Sequence, residues 1–244
     1  MINHSTKALL AVLASIYFGI VVALYLIPDR GIFIAAGLIT IIFVIAVVSR
    51  KYRPVCAVAL VPMAAAFAVA AAGFRNAVSA IAFWYILILV SDVMLRFKAP
   101  KIGKIPIPLV IIPAVIFIAI ISGEFSGYGY YLLNRSGFIL GNFTFWPVFL
   151  ITAVMVLAEE LWFRRVTAET VAAADNRVSA WLFTSFVASV PFIAVGIPGM
   201  AVVFGFNLII TGMYLVTRDL APALVMNLTS KLIFFYMLGA FTLK

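Results

Sequence analysis

The sequence predicts an all-α integral membrane protein, a polytopic bundle of about eight or nine transmembrane helices. Hydrophobic residues make up 66% of the chain and charged residues only 10%, and the mean hydropathy is +1.25. Apolar stretches of roughly 18 residues or more recur along the chain, and that length crosses a bilayer as a helix. The stretches are continuous rather than alternating, so they predict helices and not the strands of a membrane barrel.

Nine apolar segments are separated by short polar or proline-containing breaks. Their approximate bounds are 8–27, 31–48, 54–73, 78–95, 106–122, 145–163, 178–195, 199–216 and 220–241. The first segment is long for the core of a signal peptide, so we expect it to be retained as a helix. Pro191 is predicted to kink the seventh segment.

The segments group into three parts of one membrane domain. We expect N-terminal transmembrane helices in 1–122, an interfacial loop in 123–143 and core helices in 144–244. The middle part is rich in glycine and aromatic residues and too polar at its centre to span. Because tyrosine favours the membrane–water interface, this part is predicted to lie on the outer face.

Basic residues predict the orientation of the chain. With the N-terminus in the cytoplasm, the outer side collects four basic residues and the cytoplasmic side collects twelve, namely Lys7, Arg50, Lys51, Arg53, Arg96, Lys98, Lys101, Lys104, Arg164, Arg165, Arg177 and Arg218. The positive-inside rule therefore predicts a cytoplasmic N-terminus and an external C-terminus. The net charge of +9 is scattered over helix ends, which indicates contact with the lipid bilayer and not with nucleic acid.

Two adjacent carboxylates end the sixth segment, in the stretch AEELWFRR at 158–165. Ionisable groups at membrane depth are costly and suggest a functional site, although a helix cap at the water interface explains them equally well. On a helix, Glu160 and Arg164 are four residues apart and can pair. The count of segments predicts that Glu159 lies near the cytoplasmic end of its helix.

Other polar residues within the apolar segments are few. For Asn207 and Asn227 the simplest interpretation is an interhelical hydrogen bond that fixes packing. Lys231 lies one turn beyond Asn227 on the same face, and a cation at that depth needs a carboxylate or a water-filled cavity. Asp92 is expected to pair with Arg96. Serine and threonine hydroxyls are expected to bond carbonyls of their own helices.

Histidine and cysteine are nearly absent from the sequence. The single histidine, His4, precedes the first segment, and Cys56 is the single cysteine. A zinc site, a cofactor site and a Ser–His or Cys–His nucleophile pair are therefore not expected.

Against this background the sequence resembles the CPBP family of intramembrane proteases, which includes the eukaryotic Ras-converting endopeptidases and bacterial Abi proteins. The family motifs are EExxxR, then FxxxH, then HxxxN or HxxxD. The stretch Glu159-Glu160-Leu161-Trp162-Phe163-Arg164 matches the first motif in full. The order of later helices and the proline-containing stretch 220–224 before the third motif also agree with the family.

The two later motifs lack their histidines. Phe186 corresponds to the phenylalanine of the second motif, but Val190 stands at its histidine position. In the third motif, Asn227 stands at the histidine position and Lys231 at the Asn/Asp position. The resemblance thus implies a protease fold over about the last 100 residues, with an altered set of catalytic groups.

Three functions remain open at this stage. A divergent glutamate endopeptidase would use Glu159 as general base, Glu160 and Arg164 as an orienting pair, and Asn227 and Lys231 as charge stabilisers, on a membrane-associated or lipidated protein or peptide. A catalytically inactive scaffold or subunit would instead pair Glu159 or Glu160 with Lys231 to join two helices. A small transporter is the third possibility, but no inverted repeat supports it.

Overall fold

A computed structural model of the chain describes residues 4–27, 30–71, 88, 143–237 and 241–242. The fold is all-α, as predicted. The segments predicted at 78–95 and 106–122, the expected pair of Asp92 with Arg96 and nearly all of the expected interfacial loop lie outside the described residues. Phe143–Thr144 (β1) and Phe241–Thr242 (β2) form a parallel pair of two-residue strands.

Three helices form the N-terminal part of the described structure. They are α1 (His4–Leu26), α2 (Gly31–Val48) and α3 (Arg53–Ala71), close to the predicted bounds. Gly31 lies against α1 so closely that a Cβ there would meet the Ala23 carbonyl oxygen at 1.9 Å. The Tyr52 hydroxyl donates a hydrogen bond to Ser5 Oγ over 2.6 Å, so the start of α1 contacts the turn before α3.

The C-terminal part contains seven helical elements in sequence. They are α4 (Phe145–Glu159), a π-helix (Glu160–Ala168), α5 (Glu169–Ala174), α6 (Arg177–Ser189), a 3-10 helix (Val190–Val195), α7 (Ile197–Thr217) and α8 (Ala221–Met237). The Asn176 side chain accepts a hydrogen bond from the Ser179 N–H over 2.9 Å and caps α6. The change to 3-10 geometry at Val190 accompanies Pro191, where the sequence predicted a kink.

The helix predicted at 145–163, which begins as α4 in the structure, was predicted to end too early. It was expected to stop at 163, but the helical path continues through the π-helix and α5 to Ala174, giving 30 residues from Phe145. The charged residues after Phe163 look like the end of an apolar segment. Arg164 is instead buried and paired, so it does not interrupt the helix.

An ionic cluster joins the end of this long helix to the end of α7. The Tyr214 hydroxyl donates to Glu169 Oε1, and the guanidinium groups of Arg218 and Arg165 lie 3.5 and 3.9 Å from the same oxygen. Arg218 follows α7 in the left-handed region at φ 58°. The cluster therefore fixes the connection between α5 and α7.

Four of the described helices are long and apolar enough to cross a membrane by length and composition. They are Ser5–Leu24, Gly31–Val48, Phe145–Ala174 and Ile197–Thr217. The π-helix contacts α3, α6 and α7, and α4 contacts α8. Helical chains of this hydropathy are integral membrane proteins, so the membrane part of the prediction is confirmed.

Candidate active site

The candidate site lies where α4 passes into the π-helix and faces α7 and α8. Glu159 is the last residue of α4 and Glu160 the first of the π-helix. A π-helix bonds each N–H to the carbonyl five residues back, is rare, and occurs mostly at functional sites. Among the described residues, all five candidates from the sequence meet here, and all but Lys231 are buried.

Glu160 and Arg164 form the innermost pair. Arg164 Nε lies 3.3 Å from Glu160 Oε2, with side-chain exposures of 1% and 0%. A buried carboxylate is tolerated only when an opposite charge and hydrogen bonds compensate for lost hydration. The predicted i, i+4 pair is present, and both of its side chains are buried among the described helices.

Arg164 was therefore misassigned by the count of basic residues. The count placed it on the cytoplasmic side with the loop cations, whereas the guanidinium is buried among helices. A positively charged residue that neutralises a buried carboxylate carries no information on orientation. The remaining eleven cations still outnumber the four on the other side.

Asn207, on α7, is a site residue that sequence reasoning assigned only to packing. The Arg164 guanidinium donates through Nη2 to Asn207 Oδ1. The Asn207 amide donates in turn to the Val203 carbonyl over 3.0 Å. The expected interhelical hydrogen bond is thus present. The partner of Asn207 is the arginine of the EExxxR motif, and this contact assigns Asn207 to the site.

Asn227 lies on α8 and joins the two carboxylates. Its Nδ2 donates to Glu159 Oε2 over 2.8 Å and to Glu160 Oε1 over 2.7 Å. This residue stands at the histidine position of the third motif. One amide nitrogen therefore bridges the two neighbouring carboxyl groups.

Lys231 provides the second cation of the site. Its Nζ lies 2.5 Å from Glu159 Oε1, and the two side chains are 16% and 11% exposed. The expectation that a mid-depth lysine needs a carboxylate is met by this contact. Glu159 is the fifteenth of the 30 helical residues that begin at Phe145, so the prediction that it lies near the end of its helix was wrong.

The position of the second-motif histidine is apolar in the structure as in the sequence. Val190 is fully buried and begins the 3-10 helix after α6. Ser189, the preceding residue, bonds the Phe186 carbonyl through its hydroxyl over 2.7 Å, as expected for a helical serine. The described residues therefore place an aliphatic side chain where the family motif has an imidazole.

The expectation that serine and threonine hydroxyls bond backbone carbonyls of their own helices holds for some residues only. Ser189 and Ser230 do so, whereas the buried hydroxyls of Thr184, Ser185 and Thr211 have no hydrogen-bond partner in the structure. The prediction was wrong for these three residues. A helical hydroxyl has rotamers that point away from the preceding carbonyl, so position alone does not determine the bond.

The charges of the site balance. Two carboxylates face two cations and share the amide of Asn227, and the exposed fraction rises from Glu160 and Arg164 to Glu159 and Lys231. Within the described residues, no group of three or more His, Cys, Asp or Glu side chains is arranged to hold a metal ion. The chemistry available here is that of a carboxylate and an ammonium group at an accessible edge.

Comparison with known proteins agrees with this geometry. Residues 141–233 match a family model described as type II CAAX prenyl endopeptidase Rce1-like. The matched range contains the full EExxxR motif, Val190, Asn207, Asn227 and Lys231. Comparisons with curated proteins and with solved structures found no match. The resemblance drawn from the sequence is therefore confirmed for residues 141–233, which are similar to the Rce1-like CAAX protease family.

Proposed function

We propose that the chain is a divergent intramembrane glutamate endopeptidase of the CAAX-protease type, with Glu159 as its general base. The observation that carries this proposal is the difference in side-chain exposure between the two ion pairs of the site. Glu160 and Arg164 are sealed, whereas the side chains of Glu159 and Lys231 retain 11% and 16% exposure. The reactive group of a hydrolase must reach water and substrate, and Glu159 is the more exposed of the two carboxylates.

The proposed mechanism assigns one task to each side chain. The Glu159 carboxylate takes a proton from a water molecule as that water attacks the scissile carbonyl carbon. The C–O bond forms, and the oxyanion is stabilised by the Lys231 ammonium group. The two N–H groups of Asn227 are bonded to Glu159 and Glu160, so Asn227 holds the carboxylates in place and is not free to bond the oxyanion. Glu159 then gives its proton to the departing amine as the C–N bond breaks. Glu160 and Arg164 hold the orientation of the acting pair.

The altered motifs have a consistent interpretation within this mechanism. Lys231 lies 2.5 Å from the base and brings the positive charge that a histidine would otherwise supply. A lysine ammonium group is a compact point charge on a flexible side chain, whereas an imidazole is a rigid ring, so the two groups do not present the charge in the same geometry.

The substrate class follows from the membrane and the family. The proposed substrate is a membrane-associated or lipidated protein or peptide, presented to a site between helices that cross the bilayer. The proposal includes about eight or nine spans in the parts 1–122, 123–143 and 144–244, and nine of them are needed to place the N-terminus in the cytoplasm and the C-terminus outside. The described helices support at least four of these spans.

Cleavage of a prenylated peptide tests the proposal. The purified chain in lipid vesicles is incubated with a fluorogenic prenylated CAAX peptide, and the Glu159→Gln variant is compared with wild type. We expect wild type to cleave and Glu159→Gln to lose activity by about a hundredfold or more, since general-base catalysis contributes roughly that factor.

Glu169→Gln is the matched control. Glu169 lies outside the carboxylate pair and contacts Tyr214 and two arginines. This variant should cleave at close to the wild-type rate. Glu169→Gln should retain the wild-type melting temperature to within a few degrees in detergent, whereas Glu159→Gln should stay folded but melt lower, because it leaves Lys231 without its carboxylate. Undiminished cleavage by Glu159→Gln would contradict the proposed role of that carboxylate.

A second function, a catalytically inactive scaffold or subunit, is favoured by one specific observation. The direct contact between Lys231 and Glu159, together with the valine at position 190, is what a structural ion pair between α4 and α8 requires. In that case wild type cleaves no prenylated peptide, although substitution of either charge still lowers stability. The cleavage assay therefore separates the two functions.

A further inference from the structure

We propose that Asn207 is a positioning residue, which sets the orientation of the carboxylate pair by acting through Arg164. The inference rests on the proposed function for its catalytic consequence. Its structural part, the coupling of Asn207 to Glu160 through Arg164, is independent of activity. Asn207 lies outside all three family motifs used above, and the contacts alone suggest its role.

The contacts form a continuous path across three elements. Asn207 on α7 accepts from Arg164 in the π-helix, and Arg164 Nε lies 3.3 Å from Glu160 Oε2. The other oxygen of Glu160 accepts from Asn227 over 2.7 Å, and the same amide nitrogen donates to Glu159 over 2.8 Å. A displacement of Arg164 therefore changes the position of Glu160 and, through Asn227, that of Glu159.

The orientation of the Asn207 amide is fixed by its own helix. Its Nδ2 donates to the Val203 carbonyl over 3.0 Å, one turn earlier on α7. A carbonyl oxygen accepts and does not donate, so this bond assigns the nitrogen to Val203 and the oxygen to Arg164. The bond to Val203 thus holds the Asn207 oxygen toward the guanidinium group of Arg164.

Burial makes this acceptor important. The Arg164 side chain is 1% exposed and Asn207 is buried, so water does not readily replace the lost acceptor. A guanidinium group keeps several donors in a fixed planar fork. Without Asn207, Arg164 must turn toward another acceptor, and the angle at which it meets Glu160 changes.

The kinetic test compares three variants of α7. Asn207→Leu removes the acceptor at nearly constant volume, and Asn207→Asp keeps an acceptor facing Arg164. Thr211→Val, one turn further along the same helix, is the matched control. Thr211 is fully buried, and its hydroxyl has no hydrogen-bond partner in the structure.

We expect Asn207→Leu to lower kcat by about tenfold to a hundredfold, the usual range for outer partners of an active-site group. KM should stay within about twofold, because Asn207 contacts Arg164 and not the substrate. Asn207→Asp should be at least about tenfold more active than Asn207→Leu, and Thr211→Val should match wild type. Equal losses in Asn207→Leu and Thr211→Val would overturn the proposal.

A double-mutant cycle tests the same path without activity. Asn207→Leu and Glu160→Gln are combined, and the unfolding equilibrium is measured in mixed detergent micelles. The two effects should depart from additivity by about fivefold or more in the equilibrium constant, as expected for members of one network. In an Arg164→Lys background the departure should vanish, because a single ammonium nitrogen cannot occupy both the Nε position near Glu160 and the Nη2 position near Asn207.

The two readouts separate failure of this inference from failure of the proposed function. If wild type cleaves no peptide but the coupling depends on Arg164, the proposed function fails and the structural path stands. If wild type cleaves and the cycle is additive in both backgrounds, Asn207 does not act through Arg164 and the inference is wrong.

Discussion

The residue scale is dominated by the contact between Glu159 and Lys231. Nζ and Oε1 are 2.5 Å apart, on two helices separated by more than 60 residues in sequence. Each charge is largely removed from water, so each depends on the other for its solvation. The pair is therefore a stability determinant whether or not it takes part in catalysis.

Lys231→Met is expected to lower the free energy of unfolding by about 2–5 kcal/mol, the cost of leaving one member of a largely desolvated, hydrogen-bonded charge pair without its partner. The double variant Glu159→Gln with Lys231→Met should recover part of that loss, because neither remaining side chain is charged. Unfolding in mixed detergent micelles provides the measurement. A Lys231→Met chain as stable as wild type would show that the pair contributes nothing.

The sequence predicted which residues would matter at this scale, but not all of their partners. Glu160 with Arg164 follows from spacing on a helix, and Lys231 from the cost of a cation in the membrane. The bond from Arg164 to Asn207 joins the π-helix to α7 over 43 residues. Helical periodicity carries no information on such a contact, since it depends on how two helices pack.

At the element scale the main difference from expectation is the helix from Phe145 to Ala174. Apolar periodicity predicted its start at 145 but ended it at 163, because charged residues were treated as the end of the segment. Their pairing within the structure keeps the helical path continuous. The π geometry of Glu160–Ala168 was not foreseen, and side-chain patterns of this length do not distinguish it from α-helix.

Gly31→Ala is expected to destabilise the junction of α1 and α2. A Cβ would lie 1.9 Å from the Ala23 carbonyl oxygen, which is backbone and cannot rotate away. Overpacking of this kind costs about 1–3 kcal/mol or more. The melting temperature of the purified chain in detergent is the measurement.

Gly37→Ala is the matched control on the same helix. A Cβ at Gly37 meets nothing within 4 Å, and alanine is favoured over glycine inside a helix by about 1 kcal/mol. This variant should be as stable as wild type or slightly more so. Equal melting temperatures for the two variants would contradict the close approach of α1 and α2.

At the scale of the whole molecule, composition was sufficient to predict an all-α membrane protein. The number of spans and the sidedness of the chain depend on segments outside the described residues, so they stay predictions. The contact of Tyr52 with Ser5 supports one part of the topology. It brings the start of α1 and the basic turn at 50–53 to the same end of the bundle, as the count of cations requires.

Cysteine labelling tests the proposed sidedness. Cys56 is buried and is the single cysteine of the chain, so Cys56→Ala gives a background without thiols. In that background Lys7→Cys should be protected from a membrane-impermeant maleimide in intact cells, and Lys244→Cys should react. Both should react after permeabilisation. Labelling of both or of neither in intact cells would contradict an odd number of spans.

The π-helix has a consequence for how this site tolerates changes in length. Each π hydrogen bond encloses one residue more than an α bond, so the arrangement depends on the number of residues between Glu159 and Ala168. Loss of one residue, such as Leu161, would let this segment return to α spacing with the flanking helices still in register. Glu160 and Arg164 would then be three residues apart instead of four, which changes how the guanidinium meets the carboxylate. The number of residues in this helix, and not only the identity of its side chains, is therefore part of the site.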